Sequence, residues 1–276
     1  MSQCQPAWYA NTQTCPYGTA IPFFDVTVPN DPSGWQVVGI GYGFIPWILC
    51  VMILLVFIVR RGTREFSLGL LPLFTAGIVA IVKVSVKQAR PEGSCLSSCG
   101  MPSAHSATST ALFLYLVLDA AHRVVTPSKS VTTFFPSLSS IGATCLSLIK
   151  GVLLFPSGSI TQREFSAYLA IWSFLLLPVP ISRALLNDHS PSQIIAGCLI
   201  GILTCLIWYP TILALRLKYA SHYGSKFWYI FVHNYDVPEG WTTVRLESSN
   251  GDDYSDEKLN ATQTAPLVSE PSTSQP

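Results

Sequence analysis

Five stretches of this chain, near residues 36–59, 66–86, 106–121, 164–182 and 191–215, are continuously apolar and lack the period-two alternation of barrel strands. Roughly 20 apolar residues are what an α-helix needs to cross a hydrocarbon core. The expected fold is therefore all-α, a polytopic transmembrane helical bundle. A sixth stretch, about 134–156, is broken by Pro136, a run of serines, Lys150-Gly151 and Pro156. It reads as an interfacial or re-entrant segment, which leaves five or six membrane segments. The chain is 49% hydrophobic and 11% charged, and its net charge of +1 gives no case for nucleic acid.

Charge asymmetry orients the bundle. Residues 1–34 carry no Lys or Arg, whereas Arg60, Arg61 and Arg64 follow the first stretch and Arg216, Lys218 and Lys226 follow the last. Basic connections stay cytosolic, so the N-terminus is expected in the lumen or outside. The N-terminus is polar, with no basic region ahead of a short apolar core, so no cleavable signal peptide is expected. The organisation reads as a luminal segment 1–34, a transmembrane domain 35–220, a membrane-surface segment 221–246 bearing Phe227, Trp228, Tyr229 and Phe231, and a disordered cytosolic tail 247–276.

Three polar islands interrupt the apolar sequence: Lys83 to Arg90-Pro91, Met101 to Ser106, and Ser182-Arg183 with His189 and Gln193. Ionisable groups beside a bilayer are costly and usually functional. On the expected topology all three islands face the lumen, provided that the number of crossings between His105 and His189 is even. Lys83, Lys87 and Arg90 follow i, i+4, i+7 spacing, one helical face, with Pro91 closing the helix; each alone would pass for a snorkelling side chain. Ser103 fits a helix N-cap, which puts His105 beside free backbone N–H groups suited to an anion, although a capped helix that merely carries a histidine has the same pattern. Arg183 suits bidentate phosphate binding. A Gln193 amide oxygen on one nitrogen of His189 would fix the tautomer and aim the other nitrogen outward.

Of the eight cysteines, Cys50, Cys145, Cys198 and Cys205 lie in apolar segments and Cys4, Cys15, Cys95 and Cys99 in polar ones. The polar set is available for disulfides in an oxidising lumen. Cys95 and Cys99 share a loop, where they either cross-link or stay reduced. Zinc is the rival, but no CxxC pair or well-spaced histidine supports it. Glu92 beside Arg90 either tunes the entrance or is solvated.

Lys83 with six residues before Arg90-Pro91, Pro102-Ser103-x-His105, and Ser182-Arg183 with five residues before His189 resemble the three-part signature of the type 2 phosphatidic acid phosphatase superfamily, which includes vanadium haloperoxidases. The resemblance implies a membrane phosphatase of that helical type, working through a phosphohistidine with no required metal or other cofactor. It implies that Lys83, Arg90, Ser103, the backbone at Ala104 and Arg183 hold the phosphoryl oxygens. His189 attacks, and His105 protonates the leaving oxygen.

Two positions depart from that pattern: Ala104 stands for Gly, and Gln193 for Asp. Asp188, at i−1 from His189, points elsewhere on a helix and is not expected to replace the missing carboxylate. Gly-Met-Pro-Ser-x-His-Ser at 100–106 and His189-x-x-Ser192-Gln193 resemble dolichyl diphosphatases, where Gln also occupies the last position. That resemblance runs from about 35 to 245. It implies a polyisoprenoid diphosphate as the lipid partner, the endoplasmic reticulum membrane as the site of action, and recycling of the carrier for protein N-glycosylation. Membrane lipids are the other partners expected; protein partners are not legible. A broader lipid phosphate phosphatase and a catalytically silent lipid-binding protein are the alternatives. A transporter would spread polar residues through the membrane's depth, and this chain gathers them at one face.

Asn260-Ala261-Thr262 has the form of a glycosylation sequon but is cytosolic on this topology. Glycosidase treatment of the protein from eukaryotic cells is expected to leave its mobility unchanged, and a shift abolished by Asn260→Gln would overturn the orientation.

Overall fold

The computed structural model describes residues 4, 8, 9, 14–124 and 160–219. The stretch 134–156, the segment 221–246, the tail 247–276 and Asn260 lie outside the described residues. Six helices are present among those described: α1 Gly34–Arg60, α2 Thr63–Val86, α3 Ala104–Ala121, α4 Gln162–Leu176, α5 Pro178–Leu185 and α6 Pro191–Tyr219. The fold is the helical membrane bundle expected. Gly34–Val59, Arg64–Val86, Gln162–Leu185 and Pro191–Leu215 are each long and apolar enough to cross a membrane, and Val59, Leu73, Val84, Phe174 and Ile207 expose large apolar side chains on their outer faces. Such a surface suits hydrocarbon rather than water.

The remaining expected stretch, 106–121, forms α3, which is 18 residues long. It is the centre of the bundle, with ten side chains buried, among them Leu112, Tyr115 and Leu116. Protein rather than lipid surrounds it, so it accommodates Ser106, Ser109 and Asp119, which a lipid-facing helix would not. Tyr115 shares a 2.7 Å hydrogen bond with Ser67 of α2. Small residues let α6 lie against α3: a Cβ on Gly201 would collide with the Ala107 carbonyl, and one on Gly197 would stand 2.5 Å from the Ser103 carbonyl oxygen. Leu49 and Ile53 of α1, Leu68 and Leu71 of α2, and Trp172 of α4 complete the core.

A feature not read from the sequence precedes α1. β1 Gly18–Ile21 and β2 Val26–Pro29 form an antiparallel hairpin that sits over the end of the bundle where α1 begins. Disulfides Cys4–Cys99 and Cys15–Cys95 join this N-terminal segment to the connection between α2 and α3. Cys95 and Cys99 thus pair with the N-terminal cysteines and not with each other. All four sulfurs are engaged and none is a thiolate ligand for zinc.

The chain makes five passes among the described residues, with α4 and α5 together forming the fourth. At the end away from the hairpin, Asp119 of α3 binds Arg64 of α2 at 2.5 Å and Arg123 at 3.3 Å. There the Ile160 N–H donates to the Arg123 carbonyl at 2.9 Å, and Val124 and Ile160 form a β-bridge. The segment between them therefore leaves and re-enters at one point. This meets the parity condition: α3 goes down, α4 and α5 return, and His105 and His189 stand at the same end.

Asp119 is buried between two arginines, so removing its charge takes a buried counter-ion from both. Asp119→Asn is expected to cost about 3–5 kcal/mol of stability, measured as a lowered thermal unfolding midpoint in detergent; an unchanged midpoint would show the cluster to be expendable.

Candidate active site

The connections at the hairpin end carry the polar islands. α2 stops at Val86, where Lys87 caps it in a left-handed conformation with φ 48°. Lys83, Lys87 and Arg90 are therefore not on one helical face, and Pro91 does not close the helix. The chain leaves α2 four residues before Arg90, which lets the arginine turn inward while Lys87 remains exposed. Lys83, in the last turn of α2, is partly buried and lies within electrostatic reach of Arg90 and Arg183. Glu92 is exposed, in keeping with the solvated alternative.

Arg90 is buried and joins three parts of the chain. Its Nε donates to the Ser98 carbonyl at 2.9 Å and its Nη1 to the Asp188 carbonyl at 3.0 Å. Nη2 donates to both carboxylate oxygens of Asp25 at 3.0 and 2.8 Å and to Ser98 Oγ at 2.8 Å. Nη1 also meets His189 Nε2 at 3.0 Å. A guanidinium can only donate, so Nε2 accepts and carries the lone pair.

The other ring nitrogen completes the assignment. His189 Nδ1 lies 3.3 Å from Gln193 Oε1. That oxygen also accepts from Ser190 N at 3.2 Å, while Gln193 Nε2 donates to the Ala89 carbonyl at 2.8 Å. The three contacts fix the amide's orientation, so Nδ1 is the donor and His189 is the Nδ1–H tautomer. The expected His189–Gln193 contact is formed, although α6 starts at Pro191 and His189 itself precedes the helix. Gly100 makes room for it, since a Cβ there would stand 2.6 Å from both Gln193 Nε2 and Oε1. Burial, then the charges of Arg90 and Arg183, hold the His189 pKa well below the ordinary 6.5. The ring is neutral near pH 6.5.

Ser103 caps α3, its Oγ accepting from Ser106 N at 3.5 Å and from Ser106 Oγ at 3.0 Å, and its own N–H donates to the Gln193 carbonyl at 3.1 Å. Ala104 opens the helix and is not among the residues with positive φ, so nothing in the backbone there demands glycine. His105 follows on the first turn, buried, and neither ring nitrogen has a hydrogen-bond partner among the described residues.

Arg183 closes the site from α5, fully buried. Its Nη2 pairs with Asp188 Oδ2 at 2.8 Å and donates to the Asp25 carbonyl, whereas its Nε and Nη1 have no hydrogen-bond partner among the described residues. Asp188 does not reach His189; as expected it does not replace the missing carboxylate. It anchors Arg183 and accepts from Thr27 N at 3.2 Å. Burial raises its pKa against the pull of Arg183 and Thr27. Buried donors without partners are rare, and those of Arg183 with the His105 ring make a cradle suited to an anion's oxygens.

All eight predicted site residues, Lys83, Arg90, Ser103, Ala104, His105, Arg183, His189 and Gln193, gather at this end. Sequence reasoning missed Asp25, Thr27 and Ser98, which lie outside the motif positions, and the space that Gly100, the first residue of the 100–106 motif, leaves for Gln193. Gly43 of α1 was also missed; a Cβ on it would press to 2.9 Å from Val26 and 3.4 Å from Arg183 Nη1.

A family model described as the PAP2 superfamily matches residues 46–216, a span that contains all eight. No curated protein and no solved structure matches the chain.

Because His189 is neutral in the folded site, the unfolded chain binds a proton that the native chain does not as pH falls below 6.5, and native stability falls with it. Nitrogen-15 chemical shifts of His189 are expected to report the neutral Nδ1–H tautomer at pH 6.5, and an imidazolium there would contradict the assignment.

Proposed function

Because the chain belongs to the PAP2 superfamily, a superfamily of phosphatases, we propose that this membrane hydrolase removes the terminal phosphate from a polyisoprenyl diphosphate, dolichyl diphosphate, on the luminal face of the endoplasmic reticulum. The carrier monophosphate so released would be reused in protein N-glycosylation. The observation that carries the reading is His189 itself: a neutral imidazole, locked by Gln193, whose Nε2 lone pair meets Arg90 at 3.0 Å beside the open donors of Arg183. A nucleophile and an anion cradle share one pocket.

In this mechanism Lys83, Arg90 and Arg183 hold the equatorial oxygens of the terminal phosphoryl group, with Ser103 and the N-terminal amides of α3 beside them. Nε2 of His189 forms a bond to phosphorus as the bond to the bridging oxygen breaks. His105, protonated once the anionic phosphoryl group stands beside it, gives its proton to that oxygen, and the lipid monophosphate departs. Neutral His105 then takes a proton from water, whose oxygen attacks the phosphohistidine and releases inorganic phosphate. Fixed cations do the charge stabilisation that metal ions supply in other phosphoryl transfers.

Gln193 supports the diphosphatase subgroup over a decayed site. Its amide accepts from His189 and Ser190 while donating to Ala89. A carboxylate could not donate, and would set a negative charge against the Ala89 carbonyl. The disulfides on the site's own connection support an oxidising luminal face.

Phosphate release by purified protein in detergent with excess EDTA, offered dolichyl diphosphate or phosphatidate, tests this reading. We expect preference for the diphosphate, loss of at least about a thousandfold in His189→Ala, and a loss rather than a gain in Gln193→Asp. Equal use of phosphatidate would favour a broad lipid phosphatase. Absence of release by folded protein, with activity gained in Gln193→Asp, would favour a silent binding protein.

A further inference from the structure

The hairpin turn places a carboxylate on the edge of Arg90 that an anion in this pocket would use. Asp25 stands between β1 and β2 with φ 54°, and both of its oxygens accept from Arg90 Nη2 at 3.0 and 2.8 Å. Its own carbonyl accepts from Arg183 Nη2. The Asp25 side chain is 25% exposed whereas that of Arg90 is buried, so the carboxylate lies at the mouth and the guanidinium behind it. Burial alone would raise its pKa, but Arg90, Lys83, His105 and Arg183 together hold the carboxyl well below the usual carboxylate range. Arg90, Lys83, His105 and Arg183 thus all act on this one anion, and Asp25 acts in the same way on His189.

Resting on the reading of this pocket as a phosphate site, we infer that Asp25 is its internal occupant: a specificity-determining residue whose carboxylate sits on Arg90, is displaced by an arriving phosphoryl group, and returns to expel the phosphate product. Three fixed cations, Lys83, Arg90 and Arg183, face two carboxylates, Asp25 and Asp188. Asp188 is held by Arg183 at 2.8 Å and by Thr27 N at 3.2 Å from inside the fold, so it stays. Asp25 is held through Arg90 alone among its side chain's described hydrogen bonds.

A phosphoryl oxygen and the Asp25 carboxylate cannot share Nη2 without like-charge repulsion. A dianionic terminal phosphate outbids a single carboxylate for the cluster, while a weaker anion does not. The turn can yield without the hairpin leaving. Cys15–Cys95 ties the segment before it, and the Cys95 N–H donates to Thr27 Oγ1 at 3.1 Å just after it. Release of a tightly held phosphate is the step that such a competitor would hasten.

Inorganic phosphate is the probe, bound to the intact purified protein in detergent and followed by isothermal calorimetry, which does not depend on turnover. Asp25→Asn keeps the shape and removes the charge, and Asp25→Ser replaces it if the amide variant does not fold. Removing one charged competitor is expected to tighten phosphate binding about tenfold or more relative to the natural protein, and to lower the inhibition constant of phosphate in the hydrolysis assay by the same factor. Asp25→Glu is expected to bind phosphate as the natural protein does. Unchanged or weaker binding in the neutral variants would overturn the inference and leave Asp25 as a brace for Arg90. Phosphate binding by neither the natural protein nor the neutral variants would overturn the phosphate-site reading as well.

Discussion

A buried guanidinium organises this end of the molecule. Arg90 takes the Ser98 carbonyl and hydroxyl from its own loop, the Asp188 carbonyl and His189 ring from the connection ahead of α6, and the Asp25 carboxylate from the hairpin. Burying such a charge is costly unless its hydrogen bonds are met, so three segments distant in sequence must converge on it for any of them to be stable. The kinked exit from α2, the disulfides to residues 95 and 99 and the hairpin over the bundle end are different ways of meeting that demand. The position of His189 follows from it.

Much of the bundle was legible because hydrocarbon imposes a crude rule: long apolar runs become helices, and the five passes begin and end within a few residues of the stretches read from sequence. The site's membership was legible for a different reason. Cations, histidines and a cap residue are conspicuous in an apolar chain, and motif spacing singled out eight candidates that the fold gathers at one end. What failed was local. Lys83, Lys87 and Arg90 fit a helical face by count, but demand from the site pulls Arg90 out of the helix, and the chain adopts a left-handed residue at Lys87 to deliver it. The hairpin was missed because each strand has four residues and no short-turn signature joins them. Asp25 was missed because an acid in a polar N-terminal segment looks solvated until the fold sets it against an arginine.

Gln193 shows how a substitution that looks like damage in a motif becomes coherent in three dimensions. A carboxylate offers a histidine charge, while an amide offers orientation and an additional donor. Here the donor is used on Ala89, and Gly100 is small where the amide needs space. The imidazole's polarity is fixed by two neighbours of opposite hydrogen-bonding character, Arg90 on one nitrogen and Gln193 on the other. The carboxylates, Asp25 and Asp188, attend to the arginines.

The bridge between Val124 and Ile160, at the end remote from the site, makes the polypeptide between them a closed excursion. Its two ends meet beside Asp119, which pairs with Arg123 and with Arg64 of α2. The direction of every later pass is therefore independent of how many residues the excursion contains. A change in its length would leave His105 and His189 at the same end of the bundle.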